Sequence, residues 1–155
     1  MRANVVAEIV LDANAELSYY ARFNLEWEWD GVIVELSTDN GLTWSALPPA
    51  SGYPGTLADT QGTSGTQPPA NACGDLKTTA AFTGPNGNAN LTEWTQYKSS
   101  LAAHADKPVR IRWRFTSDPG LEYDGFYLDD IAITNVKVPG VCLAVVVTPD
   151  AVFDF

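Results

Sequence analysis

This 155-residue chain holds one histidine, one methionine and two cysteines. The single histidine, His104, excludes HExxH and the related zinc patterns, which need a pair on one helix face. A Ser-His-Asp triad would have to run through His104, which sits beside Ala102, Ala103 and Ala105 in a predicted surface loop. Gly62-Thr63-Ser64-Gly65-Thr66 ends in Thr where a nucleophile elbow needs Gly. No glycine-rich loop able to cradle a phosphate is present. The chain therefore reads as a non-enzyme. A carboxylate pair for glycoside hydrolysis is the one catalytic device that the many acids leave open.

Cys73 and Cys142 could form at most one internal disulfide. Closing so long a loop would stabilise by roughly 4 kcal/mol in the chain-entropy account. Neither belongs to a CxxC pair, which argues against a zinc ribbon. No apolar run approaches the roughly 20 residues needed to span a bilayer. Basic residues are scarce too: nine Lys and Arg face nineteen Asp and Glu, for a net charge of -10. Such a surface repels phosphate, so nucleic acid is not an expected partner. It suits an extracellular protein or one that holds cations, and equally a surface that only keeps the chain soluble. The start, Met1-Arg2-Ala3-Asn4, leads straight into strand-like sequence without a signal peptide, as expected of a piece of a longer chain.

What is abundant is alternation. Leu17, Tyr19, Ala21, Phe23 and Leu25 share one parity, and Ser18, Tyr20, Arg22, Asn24 and Glu26 share the other. Val32, Val34 and Leu36 alternate with Ile33 and Glu35, and Val109, Ile111, Trp113 and Phe115 alternate with Arg110, Arg112 and Arg114. A period of two marks half-buried antiparallel strands. Further strands are predicted over 5–11, 125–134 and 141–147. Helix signals are weak, with one short helical turn expected within 91–105. The expected fold is all-β, an antiparallel β-sandwich of jelly-roll type. Its domain covers 1–138, and 139–155 forms a last strand or linker. Between about 48 and 90 the chain turns rich in Gly, Pro and Thr, which predicts a long surface loop, either functional or merely tolerated.

Ser37 to Trp44, STDNGLTW, fits the Asp-box spacing Ser-x-Asp-x-Gly-x-Thr-Trp. Asn40-Gly41 can supply the positive φ angles of a tight turn, and Asp39 can accept backbone N–H bonds across it. The box is familiar from sialidase propellers, but those need several boxes and three arginines converging on one carboxylate. Here there is one box, and the three arginines are strung along one strand at roughly 7 Å intervals. The box is predicted to fold a hairpin and nothing more.

Three blocks, ARFNLEWEWDGVIVELSTDNGLTW, DKPVRIRWRFTSD and DGFYLDDIAI, together resemble MAM-like jelly-roll domains. Those domains lie C-terminal to the catalytic unit in secreted bacterial peptidases, such as immune inhibitor A-like metallopeptidases and bacterial zinc carboxypeptidases. The resemblance spans about 5–136 apart from the long loop. It implies a secreted, non-catalytic accessory or binding module that contacts adjacent domains of a longer chain, a protein or a surface. It also implies Ca²⁺ in the sandwich, with Glu26, Asp30 and Asp129 at the positions where relatives carry ligands. Asp124, just before the predicted 125–134 strand, could join them, and Asp118 and Asp130 stand behind these four.

The acids pose a physical problem of their own. In a regular strand Asp129 and Asp130 face opposite ways, so one would point inward, where an unpaired carboxylate is costly. A Ca²⁺ ion, an arginine of the 110–114 row, or backbone N–H groups could each neutralise it. An alternative function is carbohydrate binding. Parity places Trp113, and with it Trp27 and Trp29, toward the core, while Trp44 belongs to the hairpin. Tyr53 and Trp94, both in loop regions, are the predicted exposed ligand-binding aromatics. A purely structural assembly role is the other alternative.

Overall fold

The computed structural model describes residues 2–58, 78–85, 93–118 and 120–137, with side chains from residue 10 onward. Cys73 and Cys142, whose pairing the sequence leaves open, and the 139–155 segment lie outside the described residues. Eight strands are formed: β1 (Arg2–Asn24), β2 (Gly31–Ser37), β3 (Ser45–Ala46), β4 (Gly55–Thr56), β5 (Ala80–Ala81), β6 (Thr95–Ser100), β7 (Pro108–Thr116) and β8 (Gly125–Lys137). Their pairings are antiparallel throughout, so the fold is all-β. The main sheet runs β3-β2-β7-β1-β6, and β8 pairs β1 along its other edge.

β1 organises the molecule. Its first half pairs β7, with Ala3 opposite Trp113, and its second half pairs β6 and β8. Yet the Trp113 ring meets Tyr19 edge-on at 5.2 Å. A straight strand would separate positions 3 and 19 by roughly 50 Å. β1 must therefore turn a corner, and register shifts between Val5 and Ile9 and between Leu11 and Glu16 supply the irregularity that permits it. The two halves then face each other as the layers of a sandwich.

Leu17, Tyr19, Ala21, Phe23 and Leu25 are all buried, with Val32, Val34, Leu36, Val109, Ile111 and Trp113 against them. This is the parity that the alternation predicts. The 91–105 stretch differs from expectation in its first part: it forms strand β6, then a 3-10 turn over Ala102–His104. Alternating polar residues on β6 outweigh the weak start signal at Glu93. Among the described residues no helix is long and apolar enough to cross a membrane.

The described parts of the 48–90 loop include exposed residues at 50–52 but also reach into the core. Phe82 is fully buried and touches Tyr19, Phe23, Tyr53, Tyr97 and Phe126. Its backbone bridges Val32 in both directions at 2.9 Å. Leu57 and Ala81 cover Gly31 and Ile33 on the far side of β2, Arg112, Arg114 and the 37–44 turn cover Glu35 and Ser37, and every residue of that strand is buried. Two-sided cover of β2 comes mostly from sequence-distant residues, so alternation within the strand gives no sign of it.

Candidate metal centre

The turn after β1 begins with Glu26, whose carbonyl accepts from Trp29 N–H at 3.2 Å and Asp30 N–H at 3.1 Å. Glu28 takes a φ of 68° there, and the Thr83 hydroxyl clamps the turn: it accepts from Glu28 N–H at 2.8 Å and donates to the Glu26 carbonyl. Parity therefore fails at Trp27, which is 51 % exposed and lies against Gly55 and Gly84 rather than in the core. A Cβ at Gly84 would fall 2.2 Å from the indole, so only glycine leaves room for it.

Asp30 directly precedes β2, and Gly31 pairs Thr116 at the end of β7. That rung brings the loop after β7 beside the turn after β1. Carboxylate oxygens of Glu26, Asp30 and Asp118 lie within 4.8 Å of one another. Ca²⁺–oxygen distances of about 2.3–2.6 Å put oxygens on opposite sides of one ion roughly 5 Å apart, so the three could share an ion. Each carboxylate is oriented by a backbone N–H: Asp118 N–H donates to Asp30 Oδ1, Gly120 N–H to Asp118 Oδ1, and Leu121 N–H to Glu26 Oε2. A Cβ on Gly120 would sit 2.7 Å from Asp118 Oδ1 and 3.1 Å from Glu26 Oε2, so a side chain there would push these two carboxylates from their present positions. Asp30 is 6 % exposed. Burial, opposed by N–H groups and reinforced by the Asp118 and Glu26 charges, holds its carboxyl above the ordinary range. Among the described residues no Lys or Arg ion pair reaches these three.

Two of the four expected metal positions, Glu26 and Asp30, thus meet, and Asp118 joins them. Asp124 and Asp129 are not part of the group. Asp124 accepts from the Asn24 side chain at 3.3 Å. Asp129 pairs with Tyr20, roughly 20 Å down β1 from Glu26. Neither Asp of the pair points inward. β1 spends two residues, Ser18 to Tyr20, where β8 spends three, Asp129 to Ala132, and Asp130 takes a φ of 48°. That bulge turns both acids outward while Phe126, Leu128 and Ile133 pack on the core. Asp129 Oδ1 instead accepts from Asp130 N–H at 2.8 Å.

The arginine row serves another acid. Arg112 Nε meets Glu35 Oε2 at 2.6 Å, and Arg114 Nε lies 3.4 Å from Oε1, all three nearly out of solvent. Trp44 of the Asp-box hairpin covers Arg112, its ring centroid 4.0 Å from the guanidinium carbon. The hairpin forms as expected: Thr43 and Ser37 bond Asp39, Asn40 and Gly41 take φ of 64° and 90°, and Trp44 Nε1 donates to the Gly41 carbonyl.

Of the two expected ligand-binding aromatics, Trp94 is 39 % exposed and Tyr53 is not a platform. Tyr53 packs on Phe82, and its hydroxyl accepts Val34 N–H at 2.9 Å. It fills the gap along β2 between the Phe82 bridge and β3, a place that no local pattern marks. His104 is half-buried on the 3-10 turn rather than an exposed loop residue, and burial together with Lys107 lowers its pKa.

No protein-family model matches this chain, and no curated protein matches it.

Proposed function

We propose that this domain is a non-catalytic accessory module of a secreted bacterial peptidase, a jelly roll whose rim is stabilised by Ca²⁺. The observation that carries the reading is the carboxylate cup of Glu26, Asp30 and Asp118. Three acids held at ion-sharing distance by backbone N–H groups fit a hard cation. Carbonyls and water would complete the shell. The ion would supply charge neutralisation and join the ends of β1, β2 and β7. The same three blocks that resemble peptidase accessory domains build these strands, and that likeness supports a role beside a catalytic unit, in contact with adjacent domains.

Thermal melting tests the metal. A sample stripped with EDTA and returned to Ca²⁺ should regain several degrees in Tm, as binding to the folded state alone requires. Asp30→Asn should abolish that gain. An unchanged Tm on calcium return would overturn the metal reading.

A further inference from the structure

On the outer face of the β6-β1-β8 layer, a guanidinium is held between two exposed aromatic rings. The Arg22 guanidinium carbon lies 5.1 Å from the Trp94 ring centroid and 4.6 Å from that of Tyr127. The register builds the arrangement. Tyr127 pairs with Arg22 across β8, and Trp94 directly precedes Thr95, the partner of Ala21 on β6. Two residues back, Tyr20 pairs with Gln96 on one side and Asp129 on the other. Trp94 and Tyr127 are 39 % and 40 % exposed, and Gln96 and Asp129 are exposed beside them.

We propose that this face binds a neutral polysaccharide. Pyranose rings present an apolar C–H face to stack on aromatic rings and a rim of hydroxyls to bond polar side chains. This surface interleaves the two kinds of group. The rings have little rotamer freedom to lose, and the cation–π contacts hold them further. Their centroids can be no further apart than 5.1 Å and 4.6 Å together, about 9.7 Å. The register sets the rings on the strands either side of β1, two strand spacings of about 4.8 Å apart, a span that fits linked sugar units lying across the strands. The exposed Gln96 amide would donate to hydroxyls and the Asp129 carboxylate would accept from them. Charge selects among glycans: Arg22 and Asp129 offset each other on the face, and the net charge of -10 around it disfavours polyuronates and sulfated chains. A cation at its centre makes the face a poor seat for an apolar helix.

Affinity electrophoresis of the whole chain through gels holding soluble β-glucan, xylan, mannan or polygalacturonate tests the proposal. At least one neutral polymer should retard migration, and EDTA should leave that retardation intact. Trp94→Ala and Tyr127→Ala should each weaken it roughly tenfold, and Tyr127→Phe should preserve it. Near-UV circular dichroism checks folding, and the two alanine variants read the face independently. Retardation by no neutral glycan, retardation by polygalacturonate alone, retardation of either alanine variant equal to that of the unsubstituted chain, or loss of retardation in EDTA would each overturn it. A missing calcium response with glycan binding intact would sink the metal reading alone.

Discussion

Tyr53 shows how much one hydroxyl can decide. Its ring fills space beside Phe82, and its oxygen is the acceptor for Val34 N–H in mid-strand. Burial pushes its pKa up to about 12. Tyr53→Phe keeps the ring and strands that N–H, so it should cost about 1–3 kcal/mol in chemical denaturation. Glu35 is the sharper case. It is the shared partner of Arg112 and Arg114 in a nearly dry site under Trp44. Glu35→Gln leaves buried guanidinium charge uncompensated and should cost about 3–5 kcal/mol, read as a lowered denaturant midpoint. Neither role was legible beforehand. Tyr53 lies in a loop without periodicity, and parity alone put the arginines outward without saying that a hairpin would cover them.

Among the elements, the Asp-box hairpin is the one whose structure was readable from its own residues. Every bond in it is local, from Ser37, Asp39, Gly41, Thr43 and Trp44. The Thr43 hydroxyl and N–H, with the Ser37 hydroxyl, hold the Asp39 carboxyl at about 2. A depressed folded-state pKa means that the stabilisation is full above the ordinary Asp value and fades as pH falls. Asp39→Asn should therefore flatten the loss of stability between about pH 4 and about pH 2, followed as urea midpoint against pH. β8 was legible in extent but not in facing. Its bulge at Asp130 breaks the period of two, and with it the expectation of a buried acid. A bulge depends on the register that β1 imposes from more than a hundred residues away in the chain, beyond any window of local pattern.

The rim cup belongs to the whole molecule, because its acids come from two loops that meet only when β2 pairs β7. That pairing is what raises Asp118 from a secondary candidate to a member of the cup, since Gly31 opposite Thr116 places Asp30 and Asp118 at the same end. Asp124 and Asp129 were drawn in by position in a block, and the register sends them elsewhere. The raised pKa of Asp30 gives a pH signature. Without metal, its stabilising protonated form is present below the ordinary carboxylate range and lost as pH rises through the elevated folded value. Calcium binding needs the ionised form. The calcium-induced rise in Tm should thus be small near pH 4 and grow toward pH 7. Calorimetry at matched ionic strength would measure this, and a pH-independent rise would contradict it.

Alternation alone determined that this chain makes antiparallel strands with Tyr19, Phe23, Val34 and Trp113 inside, because strand geometry sends neighbours to opposite faces whatever the fold. Its five turn residues determined the hairpin for the same local reason. Only the tertiary structure decided which acids share a corner, which arginines are buried and which aromatics stay open on the β6-β1-β8 face. Those outcomes depend on where a bent β1 places distant strands, and the contacts that result are between residues that no short stretch of sequence brings together.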